Sequence, residues 1–228
     1  MIINPYRFSA AGGGTFGNAS RDFDGTNDKV TIAVDPVDVA PLTMAAWVKM
    51  DTTTQVGGIW NIEGDDGSQN AGFGLLIVNG AFWAYAQKSS PSVFDYAAST
   101  STLNTTDWWH VCGVFRSSTD REIYINGTSE GTNTTDVLPN AILIDNACIG
   151  NRANTNNDQD LSGKIADVRV YDADIGATEI ANLAAGTDYQ TNLVGHWLLN
   201  SDDVLDYGSG GNDGTNDGST YSTDGPLD

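Results

Sequence analysis

Asn79-Gly80 lies between two apolar runs, Leu75-Leu76-Ile77-Val78 and Ala81-Phe82-Trp83-Ala84-Tyr85. A two-residue type I′ turn needs positive φ at both central residues, and Asn-Gly is the pair that adopts it most readily. The stretch therefore reads as a closed antiparallel hairpin. Glu122-Ile123-Tyr124-Ile125 followed by Asn126-Gly127 repeats the signal. Further short apolar runs fall at Lys29–Ile32, Leu42–Met50, Gly57–Ile62, Trp108–Phe115, Ala141–Gly150 and Gly163–Tyr171. In Leu42–Met50 the alternation puts Met44, Ala46 and Val48 on one face. Between the runs stand Gly (26 in the chain), Asn, Thr, Ser and Asp, which is turn chemistry repeated along the whole length. One helix is expected over 175–183, with Gly176 as N-cap and Glu179 at the third helical position. Ile175 and Ile180 stand at the hydrophobic-staple positions, and Gly186 is the stop.

The 228 residues suit a single large β-sandwich. Three parts are expected: an N-terminal arm over 1–20 with the Gly12-Gly13-Gly14 break, a sandwich over 21–190, and a C-terminal segment over 191–228. The net charge is −20. Such a field repels nucleic acid and anionic membrane surfaces. It suits solubility or the binding of a hard cation, which selects carboxylate and amide oxygens. Cys112 and Cys148 each sit in an apolar run, so two buried thiols are favoured over a disulfide. Residues 1–8 lack the basic start and apolar length of an export signal, and no stretch approaches a membrane span.

Four motifs in order resemble the laminin G-like, pentraxin-like branch of the concanavalin A-like lectin/glucanase superfamily. They are Phe23-Asp24-Gly25 with Asp28 and Val30, Thr43-Met44 with Trp47-Val48, Trp109-His110-Val111 with Ile123-Tyr124-Ile125-Asn126-Gly127, and Gly163-Lys164-Ile165 with Val168-Arg169-Val170-Tyr171 and Glu179-Ile180. The resemblance implies an all-β fold, a two-sheet antiparallel jelly-roll sandwich with one short helix near its C-terminal end. Relatives bind sugars on a concave sheet or on rim loops. The segment from Leu193-Val194-Gly195-His196-Trp197 to Asp206 and 208–215 resembles the part that usually opens such modules. Its position here implies permuted order, or docking on a neighbouring subunit. Relatives often hold a structural calcium through an Asp where this chain has Ala166. Asp24, Asp28, Asp167, Asp206 and Asp213 remain as candidate metal ligands.

Glycoside hydrolysis needs two carboxylates at a set separation. Glu63, Glu122, Glu130 and Glu179 are far apart in sequence, and no Glu-x-Asp-x-Glu pattern occurs, so an enzyme is not expected. His110 reads as a packing residue, His196 as a surface residue and Arg169 as structural. Trp47, Trp109 and Trp197 are expected to fill the core. Sugar recognition uses aromatic faces with a few polar groups. The candidate ligand contacts are Trp60, Trp83, Tyr85, Phe94 and Tyr96, together with Asn154, Asn156 and Asp158 in an Asn-rich loop. The chain is thus expected to be a non-catalytic, lectin-like surface-binding module with a glycan partner and, as its one cofactor, structural calcium. An extracellular-type body without an export signal fits display on a phage virion, with residues 1–20 docking on capsid or tail proteins. The alternative is a structural assembly protein of a virion that binds no sugar, and a glycan-cleaving enzyme ranks third; a homo-oligomer is a further expected partner state.

Overall fold

A computed structural model of the chain describes residues 18–65, 70–152 and 159–227. Most of the expected arm therefore lies outside the described residues, and Ser20 already belongs to the first strand. The strands are β1 (Ser20–Asp24), β2 (Lys29–Ile32), β3 (Leu42–Met50), β4 (Val56–Asp65), β5 (Asn70–Val78), β6 (Ala81–Lys88), β7 (Val93–Ala98), β8 (Trp109–Ser117), β9 (Asp120–Ile125), β10 (Thr128–Asn133), β11 (Asn146–Ile149) and β12 (Ser162–Tyr171). After them come helix α1 (Ala177–Ala184) and strands β13 (Leu193–Trp197), β14 (Thr215–Asp217) and β15 (Thr220–Ser222).

They form two antiparallel sheets. One runs β10-β9-β8-β3-β12-β1-β15, with β13 also on β12; the other runs β14-β2-β11-β4-β5-β6-β7. β1 pairs with residues 162–165 of β12 and β13 pairs with residues 168–171, so the two share one edge of β12 end to end. The C-terminal segment adds β13 and β15 to one sheet and β14 to the other.

The core lies between the sheets. Met44, Ala46 and Val48 meet Trp60, Ile62, Leu75, Ile77 and Phe82 there, with Trp109 and Trp197. Large apolar side chains buried on facing sheets supply the main driving force of a sandwich. A second cluster sits on the outer face of the larger sheet. Ile180 and Leu183 of α1 cover Ala45, Cys112, Val114 and Tyr124. Trp47 is buried on that same outer face, in register with His110, rather than between the sheets.

The local turn chemistry is as read from the sequence. Asn79 and Gly80 have φ of 45° and 90°, and Asn126 and Gly127 have 49° and 80°. Val78 then pairs with Ala81, and Ile125 with Thr128. α1 stops before Gly186, and beyond its end the Thr187 N–H donates to the Asn182 carbonyl and the Gly186 N–H to that of Leu183. Those two bonds satisfy carbonyls that the helix end leaves open. The strand expected over 141–150 is shorter: Ala141–Leu143 is a turn of 3-10 helix and only Asn146–Ile149 pairs. Cys112 and Cys148 are buried free thiols on different sheets. Among the described residues, no helix is long and apolar enough to cross a membrane.

Candidate functional site

Strand alternation decides what the seven-stranded sheet shows on its outer face. Trp60 and Ile62 of β4, Phe73, Leu75 and Ile77 of β5, and Phe82, Ala84 and Ala86 of β6 enter the core. Their neighbours Asn61, Glu63, Gly72, Gly74, Leu76, Trp83, Tyr85 and Gln87 therefore face outward. Tyr85 pairs with Tyr96 and Gln87 with Phe94, so β7 adds two more aromatics to this face.

The register arranges them in rows. Glu63, Gly72, Gln87 and Phe94 follow one another across four strands, and Asn61, Gly74, Tyr85 and Tyr96 form the next row. The glycines of β5 let side chains from β4 and β6 meet over the strand between them. A Cβ on Gly74 would stand 2.2 Å from Asn61 Oδ1 and 2.6 Å from Tyr85 Cε1. In that gap the Tyr85 hydroxyl lies 2.9 Å from Asn61 Oδ1 and donates to the Glu63 carboxylate.

Arg152 closes the cluster from the loop after β11. Its Nε donates to Glu63 Oε1 and Oε2 at 3.1 and 3.2 Å, and its Nη2 donates to Glu63 Oε1 and, at 2.9 Å, to Gln87 Oε1. The guanidinium carbon sits 4.8 Å from the centre of the Tyr85 ring and 5.8 Å from that of Phe94. Asn151 holds the loop: its carbonyl accepts from Asn61 Nδ2 and its side chain donates to Asp160. Glu63 and Tyr85 are fully buried. Burial pushes the Tyr85 hydroxyl well above its ordinary range, so it stays protonated and can donate. Burial also works against the charge on Arg152, but the Tyr85 oxygen and the Glu63 carboxylate outweigh it and raise the guanidinium. Breaking such a pair by removing one partner costs about 3–5 kcal/mol, because the other charge is left buried alone.

Beside this polar cluster stands an aromatic ridge. The Trp83 and Tyr96 rings stack at 3.6 Å and 4°. Phe94 stacks on Tyr85 at 5.0 Å and leans on Tyr96 at 6.2 Å. Phe94 is the most open of the set at 36% exposure, and Trp83 and Tyr96 are half-buried.

Four of the expected contacts, Trp83, Tyr85, Phe94 and Tyr96, are thus gathered on one face. Tyr85 serves beneath the surface rather than on it, since Arg152 and Phe94 cover it. Trp60 is a correction. It points inward, fully buried against Trp197 at 5.1 Å, because the alternation of β4 gives the outer face to Asn61 and Glu63. Asn154, Asn156 and Asp158 lie outside the described residues. Arg152, Gln87 and Asn61 are additions that the sequence reading missed. Arg152 is 89 positions from Glu63, and only the β11–β4 pairing brings it near.

The five aspartates expected to hold metal do not form one centre. Among the described residues, no three His, Cys, Asp or Glu side chains come together as a metal site. Asp24 accepts from the Thr26 N–H, and Asp28 from the Asp24 N–H, within one turn. Asp206 accepts from the His196, Gly208 and Asn212 N–H groups, and Asp213 from the Asp206 N–H. Asp167 stands at a bulge in β12 with φ of 49°. Its carboxylate pairs with Arg169 Nε and lies 2.7 Å from His196 Nε2. Burial works against its charge, but Arg169 and His196 outweigh that and hold its pKa below the usual carboxylate range. His196 is therefore not the surface residue the sequence suggested; β13 places it 6% exposed against Asp167.

A laminin G family model, described as the concanavalin A-like lectin/glucanases superfamily, matches residues 24–181. The chain belongs to that superfamily. No curated protein matches it in sequence. Among solved structures it is similar to a candidate carbohydrate-binding protein from Bacteroides ovatus, at 16% identity and a TM-score of 0.68, over 92% of this chain and 61% of that one. The present chain thus spans under two thirds of the Bacteroides protein. A heptameric SAP-like pentraxin from Limulus polyphemus is similar at 16% identity and TM-score 0.65, over 93% of this chain and 98% of that one. Domain 4 of an extracellular arabinanase from Geobacillus stearothermophilus, solved with arabinotriose, is similar at 18% identity and TM-score 0.58, over 72% of this chain and 76% of that one. At these identities the likeness is one of fold. Within the superfamily match, residues 24–181 contain all of the outer-face cluster described above.

Proposed function

We propose that the chain is a non-catalytic, lectin-like module that binds carbohydrate on the outer face of its seven-stranded sheet. The observation that carries this is the ridge of Trp83, Tyr96 and Phe94 standing next to Gln87 and Arg152. Sugar rings present apolar C–H faces to aromatic side chains and hydroxyls to nearby donors and acceptors. Two of the similar structures support the reading, one described as a candidate carbohydrate-binding protein and one solved with arabinotriose. The non-catalytic part rests on Glu63. A general acid or nucleophile must reach the substrate, whereas this carboxylate is buried and clamped by Arg152 and Tyr85. Display on a virion and the use of calcium rest on the sequence reading alone.

A glycan array that includes arabino-oligosaccharides, followed by calorimetry on any hit, tests the proposal. The Phe94→Ala and Tyr96→Ala variants should fold and should lose about tenfold in affinity, near 1.4 kcal/mol. Undiminished binding in the folded double variant would move the site elsewhere, and a bare array would end the carbohydrate reading.

A further inference from the structure

Resting on that reading, we infer that the site takes neutral glycans and discriminates against acidic ones, and that Glu63 sets this choice. Arg152 is the cation beside the aromatic ridge, and in an open site its fork would capture a carboxylate or sulfate. Here the Nε–Nη2 side of the fork is already occupied. Nε and Nη2 are turned to Glu63, and Nη2 also serves Gln87. The guanidinium and the carboxylate are both nearly excluded from solvent, at 4% and 0% side-chain exposure. An arriving anion would meet a pair whose charges already cancel, so it would gain no ion pair in return for its own desolvation. Lys88 follows Gln87 on β6, and strand alternation points it away from the outward face. The whole chain adds a field of the same sign, with a net charge of −20.

Neutral hydroxyls face no such opposition. Gln87 supplies polar contact, Phe94 and Tyr96 supply ring surface, and no net charge has to be balanced. The Glu63–Arg152 pair thus holds the Gln87 side chain in place while cancelling its own charge.

Retention of the full chain on neutral arabinan and galactan is compared with retention on polygalacturonate and chondroitin sulfate, at low and high salt. Binding to a neutral polymer that is insensitive to salt, with acidic polymers at least about tenfold weaker, is the expected result. Acidic polymers bound as tightly or more tightly, with affinity falling as salt rises, would overturn this inference and leave the carbohydrate reading standing. No binding to either class would remove both. The Glu63→Gln variant adds a second reading. Its shape is close to the native side chain, but the charge on Arg152 is uncovered, so binding to acidic polymer should rise severalfold and become salt-sensitive. A folded Glu63→Gln protein with unchanged discrimination would show that Glu63 does not set the choice. If that variant fails to fold, the comparison on the unmodified chain still decides the charge preference.

Discussion

His110 sits in β8 with its ring edge-on to Trp47 at 5.2 Å, and it is buried at 2% exposure. Burial lowers its pKa to about 4; the nearby Asp167 charge opposes that shift and Arg169 adds to it. The unfolded imidazole titrates near ~6.5. Between those values the unfolded chain binds the extra proton, so stability rises with pH across the window. The His110 contribution is complete above the unfolded value and is lost as pH falls toward 4. The full swing is roughly 3 kcal/mol. Urea unfolding of the native chain and of His110→Phe at several pH values checks this: their stability difference should change across the window, and a constant difference would refute it. Single residues also show where sequence reading reached its limit. Phe94 and Tyr96 stood out because polar neighbours surround them, and both do face outward. Trp60 was misplaced because a run such as Gly57-Gly58-Ile59-Trp60-Asn61-Ile62 does not say which of its faces is inner; β4 carries an irregularity between Gly58 and Trp60 that resets the alternation.

At the scale of the strand, the site depends on what β5 leaves out. Gly72 and Gly74 alternate with Phe73 and Leu75, so one face of β5 fills the core while the other is bare backbone at those positions. That bare strip lets Glu63 reach Arg152 and Tyr85 reach Asn61 above the sheet. Gly74→Ala should therefore push Asn61 and Tyr85 apart and cost about 1–3 kcal/mol through overpacking. Glycan affinity should fall with it, because Tyr85 supports both Phe94 and Arg152. Thermal unfolding and calorimetry on this variant read the two effects; native stability with native affinity would show that the strip is not required. Elements closed by local chemistry were the legible ones. Asn79-Gly80, Asn126-Gly127 and the Gly176–Gly186 helix frame follow from short-range φ preferences and capping. The insertion of β11 between β2 and β4, and the sharing of one β12 edge by β1 and β13, depend on pairings across long stretches of chain. No local residue pattern encodes those, and the Arg152 contact depends on the first of them.

At the scale of the whole molecule, the first and last described strands close the sandwich on the side away from the site. β14 and β15 are joined at Gly218, yet β14 pairs with β2 in one sheet and β15 with β1 in the other. This strand pair bridges the sheets at one margin, while the aromatic ridge lies at the opposite end of the seven-stranded order, on β6 and β7. Arg21 of β1 is buried and depends on the bridge. It donates to Ser219 Oγ at 2.8 Å, to the Ser219 carbonyl at 2.5 Å and to the Ser201 carbonyl at 2.8 Å. Asp224 further pairs with Lys49 at 3.0 Å and accepts from Trp108 Nε1 at 3.1 Å. Removing residues 214–228 would strip Arg21 of its Ser219 partners and bare the edges of β1 and β2. Each charged hydrogen bond lost is worth about 1.5–3 kcal/mol, so the urea midpoint should drop by an amount equal to several kcal/mol. The bared edges should also promote self-association, visible by light scattering. Arg21→Met removes the same buried charge without opening the edges, so it should lower stability less and leave the protein monodisperse. Glycan affinity of whatever fraction stays folded should be unchanged in both, because neither alteration reaches β4 to β7. A truncated chain with the native midpoint would show that the bridge is dispensable, and a folded Arg21→Met protein that lost its glycan would show that closure and recognition are coupled across the sheet.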